Sequence, residues 1–323
     1  MKAISLQELE NWLTSLKSKY DVLIPISIHD GTRSFGRIGE GNSAIVGGTM
    51  PVKPTSIFFP QFDHVLSYAD DKIVMQKPLS KPLLAVGFTA ADVECLDFID
   101  RFYSTNYYDD IYFNRRNCSV VMAVTGRCDI NGEFMRIAGG KCDIELVYDG
   151  ENFIVVPYSE TGISLAKNIK GGIDNVSLDK LQKESDSLPN DDHEILMQAS
   201  KLLQEDKVPD EFWEDLAKRC IACTACNLSC PTCTCFEVYD LGGKRIRMWD
   251  SCQLDGFMRE ASGHNPMSKE STRVRRRIHH KIAADVTRWN TVSCFLCGRC
   301  DTVCPVDLGI KTITREMVKK YGE

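Results

Sequence analysis

The 323-residue chain has no long apolar run. Nowhere does it approach the roughly 18 consecutive apolar residues of a membrane helix, so direct membrane insertion is not expected. The stretch from Met1 to Trp12 carries Glu8 and Glu10 and lacks an apolar centre, which argues against a secretory signal. A net charge of −6 gives no reason to expect nucleic acid. Several enzyme signatures are also missing: there is no Gly-x-Ser-x-Gly elbow, no P-loop and no His-Glu-x-x-His. A dinucleotide fingerprint is approached only at Gly39-Glu40-Gly41-Asn42-Ser43-Ala44, which does not join a strand to a helix. Nothing in the sequence handles hydride, and no catalytic residue is assigned.

Cysteine is abundant instead, with fifteen in the chain. Eight fall in two runs of the form C-x2-C-x2-C-x3-C-P. The first is Cys220, Cys223, Cys226 and Cys230, closed by Pro231; the second is Cys294, Cys297, Cys300 and Cys304, closed by Pro305. This is the ligand pattern of a two-cluster, ferredoxin-like module, in which the fourth cysteine serves the other cluster. Three thiolates two residues apart can wrap one cubane from a tight loop. The fourth, at the start of a following helix whose first turn tolerates proline, points away. The expected clusters are therefore two 4Fe-4S groups. One takes Cys220, Cys223, Cys226 and Cys304, the other Cys294, Cys297, Cys300 and Cys230. Zinc or disulfides are the competing reading, but a zinc site needs only four ligands from paired C-x2-C elements. Thiolate ligands point to a reducing compartment, so the expected location is cytoplasmic.

The rest of the chain reads as α+β. Ser5-Leu6-Gln7-Glu8 is a capping box, and Leu6, Leu9, Trp12, Leu13 and Leu16 recur at helical spacing. Val22 to Ile28, Ser56 to Pro60, Lys72 to Met75, Pro82 to Phe88 and Ser119 to Val124 read as strands. Thr89 caps a helix from Ala90 to Tyr103, giving a strand–helix–strand segment with some parallel pairing. Asp149-Gly150 marks a hairpin turn. The expected organisation is a mixed α/β domain over 1–170 that docks a partner, a polar linker over 171–192, and a mainly α-helical two-cluster ferredoxin-like domain over 193–323. The long interval between the two runs suits a helical module better than a compact ferredoxin.

Three further thiols, Cys233, Cys235 and Cys252, follow the first run closely. One reading makes them a third metal site, or third Fe–S cluster, completed by another ligand. The other makes them buried thiols that hydrogen-bond cluster sulfurs. Cys95, Cys118, Cys128 and Cys142 are scattered and read mainly as core residues. Cys128 and Cys142 flank a glycine-containing loop and are the better metal candidates among them. In the basic stretch Arg273 to Lys281, Arg275 to Arg277 either neutralise negative clusters, dock an acidic partner or form a solvated helical face. His264, His279 and His280 read as surface or hydrogen-bonding histidines, and Trp249 and Trp289 as packing.

The chain resembles the family that includes the iron–sulfur subunit of anaerobic sulfite reductase and the β subunit of sulfhydrogenases. The resemblance is specific from Cys220 to Pro305. It includes Cys230-Pro231-Thr232-Cys233-Thr234-Cys235, Trp249-Asp250-Ser251-Cys252, Gly256-Phe257, Gly263-His264 and Cys297-Gly298-Arg299-Cys300. It is weaker in the N-terminal half, where the family often carries Ala-Cys-Asp after the Leu83–Gly87 strand. Here that stretch is Thr89-Ala90-Ala91-Asp92. The resemblance implies an iron–sulfur electron-transfer subunit rather than a catalyst alone. It would relay electrons between a partner flavoprotein that carries flavin and oxidises NAD(P)H and a terminal reductase or hydrogenase subunit. The alternatives are a self-contained reductase using Cys233, Cys235 and Cys252, and a structural Fe–S scaffold.

Overall fold

The computed structural model describes residues 1–28, 30–69, 72–77 and 79–322. It forms two compact units. One comprises Met1–Phe59 and Lys77–Leu188, the other Pro60–Gln76 and Pro189–Glu323.

The first unit is built on a mixed sheet. Its strand order is Lys2–Ile4, Phe153–Pro157, Ile144–Tyr148, Val120–Gly126, Leu83–Phe88, Asp21–Ser27 and Arg33–Arg37, with Asn42–Ser43 also paired to Asp21–Ser27. The interior pairs, from Asp21–Ser27 across to Ile144–Tyr148, are parallel, and the flanking pairs are antiparallel. Leu83–Phe88 and Val120–Gly126 are buried at every position. A strand covered on both faces reads as a continuous apolar run, which is why these two stand out in the sequence. Gly126 is required by close approach, because a Cβ there would meet the Tyr148 carbonyl oxygen at 2.4 Å.

The helices begin where the caps place them. The Glu8 N–H donates to Ser5 Oγ at 3.3 Å, and the Ser5 N–H donates to Glu8 Oε2 at 2.8 Å. Helix Leu6–Ser15 then buries Leu9, Trp12 and Leu13. Thr89 and Asp92 make the same reciprocal pair ahead of Ala90–Ser104. The expected strand at 56–60 is instead a 3-10 turn, Pro54–Ile57, for which Pro54 has the right fixed φ; Phe58 and Phe59 after it are buried. A fully buried carboxylate, Glu145, is saturated by donors: Thr125 Oγ1 at 2.6 Å, the N–H groups of Ala138 at 2.7 Å and Gly139 at 3.1 Å, and the Tyr158 hydroxyl at 3.0 Å.

The polar stretch expected to be a linker over 171–192 is mostly part of this unit. Ala3 and Ile173 exchange backbone hydrogen bonds at 2.9 and 2.8 Å. Helix Asp179–Asp186 follows, and the Ile137 N–H donates to Ser185 Oγ at 2.9 Å. The second unit starts at Pro189 and also takes in Pro60–Gln76.

The second unit combines helices with a four-stranded antiparallel sheet that the sequence reading did not anticipate. Its order is Phe236–Leu241, Lys244–Trp249, Phe62–Ala69 and Lys72–Met75. A buried ion pair holds the borrowed strand: Arg247 Nη2 lies 2.9 Å from Asp63 Oδ2, with side-chain exposures of 5% and 0%. Helices Asp191–Gln204, Asp210–Arg219, Glu270–His279 and Ile310–Tyr321 share a core that includes Leu196, Phe212, Trp213, Ile278, Ile313 and Met317. Asp192 ties the first of these helices to the last through Lys311 at 3.0 Å and through Arg315.

Candidate metal centre

Helix Asp210–Arg219 delivers Cys220 at its C-terminal end, where the Cys220 N–H donates to the Leu216 carbonyl at 3.1 Å. The first cysteine run then takes a backbone path that the second repeats. Ala222 and Thr224 have φ of +51° and +65°; Leu296 and Gly298, at the equivalent positions, have +55° and +77°. Left-handed conformation costs an L-residue on the order of 1–2 kcal/mol. Its recurrence at non-glycine positions in both runs therefore marks a constrained loop. Such alternation turns successive N–H groups into one concavity, which favours an anion.

Short helices Ala225–Leu228 and Arg299–Thr302 carry Cys226 and Cys300, and Cys230 and Cys304 follow just beyond them. Pro231 and Pro305 open turns, not the helices expected after the fourth cysteines. The consequence for Cys304 is direct. It lines one cavity with Cys220, Cys223 and Cys226, together with Gln253, Val274, Arg277, Val306 and Leu308. The Leu308 N–H donates to Cys304 Sγ at 3.1 Å, and the Ile310 N–H to Cys300 Sγ at 3.4 Å. Cys230 lies toward the other run. Burial pushes the Cys294 thiol up to about 12, the Leu296 N–H opposes that rise, and neighbouring Cys230 and Cys297 add to it.

The three extra thiols lie in the same region. The Cys233 thiol bonds to Cys230, holding Cys230 well below an ordinary thiol, with Lys281 and Thr232 assisting against burial. The Cys235 thiol hydrogen-bonds to Cys252, which is lowered to about 6 by that hydrogen bond against desolvation, with Asn227 and Gln253 assisting. Asn227 Nδ2 donates to Cys252 Sγ at 3.2 Å. Among the described residues no three His, Cys, Asp or Glu side chains converge on a single ion. Cys233 lies beside Cys230 of the first run, and Cys235 beside Cys252.

The basic stretch divides by helical face. Arg273 is buried, donates to the carbonyls of Met267 and Ser268, and pairs with Asp255 and Glu270. Arg275 pairs with Asp210 at 2.9 Å and Asp206 at 3.3 Å at the surface, and Arg276 is exposed. Arg277 and Lys281 point inward, at 5% and 7% exposure. Arg277 belongs to the stretch Arg275 to Arg277 expected to neutralise clusters, dock a partner or be solvated, Lys281 was not singled out, and Val274, Ile278 and Ile282 mark the buried face that holds both. Lys281 sits in a π-helical segment, His280–Ala284. The carbonyls of Lys281 and Ile282 there accept from the Ser293 N–H at 2.8 Å and from Ser200 Oγ.

The histidines take structural positions. Burial lowers both His279 and His280, and His280 Nε2 lies 3.4 Å from Asp285 Oδ1; His264 N–H donates to Ser262 Oγ at 3.2 Å. In the first unit Cys95 is buried in helix Ala90–Ser104, whereas Cys118, expected in the core, is exposed just ahead of strand Val120–Gly126. Cys128 lies against Met135 with Sγ and Sδ 3.4 Å apart. Cys142 adjoins Glu145. Burial raises both Cys128 and Cys142 to about 12, as for core thiols.

Thiols from two runs lining one cavity, on repeated anion-favouring loops, mark an iron–sulfur protein in kind. In agreement, residues 219–308 match the family model for a 4Fe-4S dicluster domain. Among curated relatives, the chain is 22% identical over 296 residues to the sulfhydrogenase 2 subunit beta of Pyrococcus furiosus, covering 86% of each protein. It is 24% identical over 137 residues to the F420-dependent formate dehydrogenase subunit beta of Methanocaldococcus jannaschii, covering 40% of this chain and 29% of that one. No solved structure matches. The chain is a homologue of the sulfhydrogenase subunit, consistent with the family its motifs resemble. No helix among the described residues is long and apolar enough to cross a membrane.

Proposed function

We propose that this chain is an iron–sulfur electron-transfer subunit that holds two 4Fe-4S clusters and works between other subunits. One cluster takes Cys220, Cys223, Cys226 and Cys304; the other takes Cys294, Cys297, Cys300 and Cys230. The observation that carries this reading is the cavity in which Cys304 meets the three thiols of the other run. When bound, such clusters take up and release one electron at a time. The chain holds the thiolates, excludes water with Val274, Val306 and Leu308, and aims N–H groups at Cys304 and Cys300. Exposed Cys223 and Ile221 bring the first run to the surface, which suits exchange with a partner. We read that partner as a cytoplasmic flavoprotein subunit carrying flavin and oxidising NAD(P)H. The second partner is then a terminal reductase or hydrogenase subunit. The name of the Pyrococcus relative supports the hydrogenase branch.

Anaerobic reconstitution of the full chain should load about eight iron, and reduction should give two interacting EPR signals. NADH should elicit those signals only when the flavoprotein is present. Turnover by the isolated chain would overturn this reading in favour of a self-contained reductase using Cys233, Cys235 and Cys252. An iron count near twelve would put a third cluster at those thiols. Clusters that cannot be reduced at any accessible potential would leave a structural scaffold.

A further inference from the structure

Two buried cations are not accounted for by packing. Arg277 and Lys281 lie four residues apart, one turn along the continuous helix formed by Glu270–His279 and His280–Ala284, and both face the interior. Among the described residues neither has a carboxylate within ion-pair distance. Arg277 Nη2 donates to the Leu308 carbonyl at 2.6 Å, and Lys281 Nζ to Thr232 Oγ1 at 2.8 Å. A buried cation without a counter-charge is strongly destabilising. Neutral acceptors do not supply that charge, and arginine cannot shed its proton.

The negative charge available is on the cysteine runs, and both cations face it, with Cys300 of the second run also near Arg277. Arg277 lines the cavity of Cys220, Cys223, Cys226 and Cys304. Lys281 faces Cys230 and Cys294, and Thr232 joins it to Cys230 with Oγ1 and Sγ 3.4 Å apart.

We propose that Arg277 and Lys281 set the reduction potentials of the two clusters, Arg277 chiefly for the one on the first run and Lys281 chiefly for the one on the second. This rests on the electron-transfer reading above. Each electron delivered, by a reduced flavin in the assembly or by dithionite in a titration, adds one negative charge beside a fixed cation. The cation therefore favours the reduced form, and the potential stands higher than it would beside a neutral residue. Arg277 and Lys281 are positioning residues in this role, acting on the cluster through charge.

The test is an EPR-monitored redox titration of the full reconstituted chain, with iron and sulfide counted for every sample. Arg277→Gln should shift the reduction equilibrium of one cluster at least tenfold toward the oxidised form, which is about 59 mV for a one-electron couple. Lys281→Met should do the same to the other cluster. Arg277→Lys and Lys281→Arg keep the charge and should stay near the parent potentials. Unmoved midpoints in iron-replete Arg277→Gln and Lys281→Met would overturn the proposal. So would equal shifts in the neutral and charge-conserving variants, which would mark a packing effect. If a neutral variant fails to load iron while its charge-conserving counterpart loads fully, charge is the requirement and the proposal stands; failure of both overturns it. Failure of the parent chain to load iron is a separate result that removes the electron-transfer reading itself.

Discussion

Asp63→Ala is the sharpest perturbation of the second unit, because it tests a contact that joins sequence positions 184 residues apart. Asp63 Oδ2 accepts from Arg247 Nη2 at 2.9 Å, and both side chains are excluded from solvent. Arg247 also lies over the Phe236 ring, with the guanidinium carbon 5.5 Å from the centroid. Removing the carboxylate takes away the anion to which Arg247 Nη2 donates, and a guanidinium cannot shed its proton to compensate. Breaking a buried pair from one side in this way costs about 3–5 kcal/mol. In a unit of this size each kcal/mol lowers the midpoint by about 2–4 °C, so the expected loss is roughly 6–20 °C. Scanning calorimetry of the full chain should place that loss in the transition of the dicluster-bearing unit. Hydrogen exchange should report it first in strand Phe62–Ala69, which pairs with Lys244–Trp249. Adding Arg247→Met should recover most of the loss, since replacing both partners by apolar groups removes the buried charge itself. A drop below about 2 °C for Asp63→Ala, or no recovery in the double variant, would refute the reasoning.

Further outcomes follow from the same structure. Cys304→Ser should weaken the cluster that Cys220→Ser weakens, and Cys230→Ser the other, as read by iron content and EPR; a match within each run would mean that the ligands do not cross. Glu145→Leu should destabilise the first unit by about 3–5 kcal/mol in urea unfolding, because it strands the Ala138 and Gly139 N–H groups and the Thr125 hydroxyl. Thr89→Ala should cost about 1 kcal/mol through loss of the cap on Ala90–Ser104. The Asp192 carboxyl is held below its ordinary 3.8 by Lys311 and Arg315 despite partial burial. A folded-state value below the unfolded one stabilises above that unfolded value and is lost as pH falls through the folded one. Asp192→Asn should therefore cost about 0.5–1 kcal/mol at pH 7 and progressively less from about pH 4 downward, in acid titrations of stability.

The parts legible in the sequence are those whose signal is local. The capping box at Ser5, the cap at Thr89 and the apolar runs at 82–88 and 119–124 follow from short-range periodicity and side-chain chemistry. Strand Lys244–Trp249 was hidden for the opposite reason. Its sequence alternates arginine with apolar residues, and its buried arginine pairs with Asp63, which no window around it contains. The fate of 171–188 was hidden likewise, since a polar stretch reads as linker until Ile173 is seen to pair with Ala3. At the candidate metal centre the eight cysteines were legible from spacing. Arg277 and Lys281 were recoverable in principle, because Arg273, Val274, Arg277, Ile278, Lys281 and Ile282 repeat in pairs every four residues. The sequence offers Arg275 to Arg277 as neutralising clusters, docking a partner or forming a solvated face, and only the apolar neighbour in each pair separates the inward Arg277 and Lys281 from Arg275 and Arg276.

The two cysteine runs have one backbone, but they do not have one environment. Ala222, Thr224, Leu296 and Gly298 repeat the same left-handed geometry, so the loops themselves offer equivalent concavities. The difference lies in what surrounds them. The first run presents exposed Cys223 and Ile221, whereas no residue from Cys294 to Cys300 is exposed. Burial strengthens every nearby charge by lowering the local dielectric. The same cation therefore acts more strongly on the buried run than on the open one. On the proposed reading, the exposed run is the side where electrons cross to a partner, and the enclosed run is the side whose potential the protein controls most. Lys281→Met should then move its cluster further than Arg277→Gln moves the other. The reverse order would mean that distance between cation and thiolates, rather than burial, decides the effect.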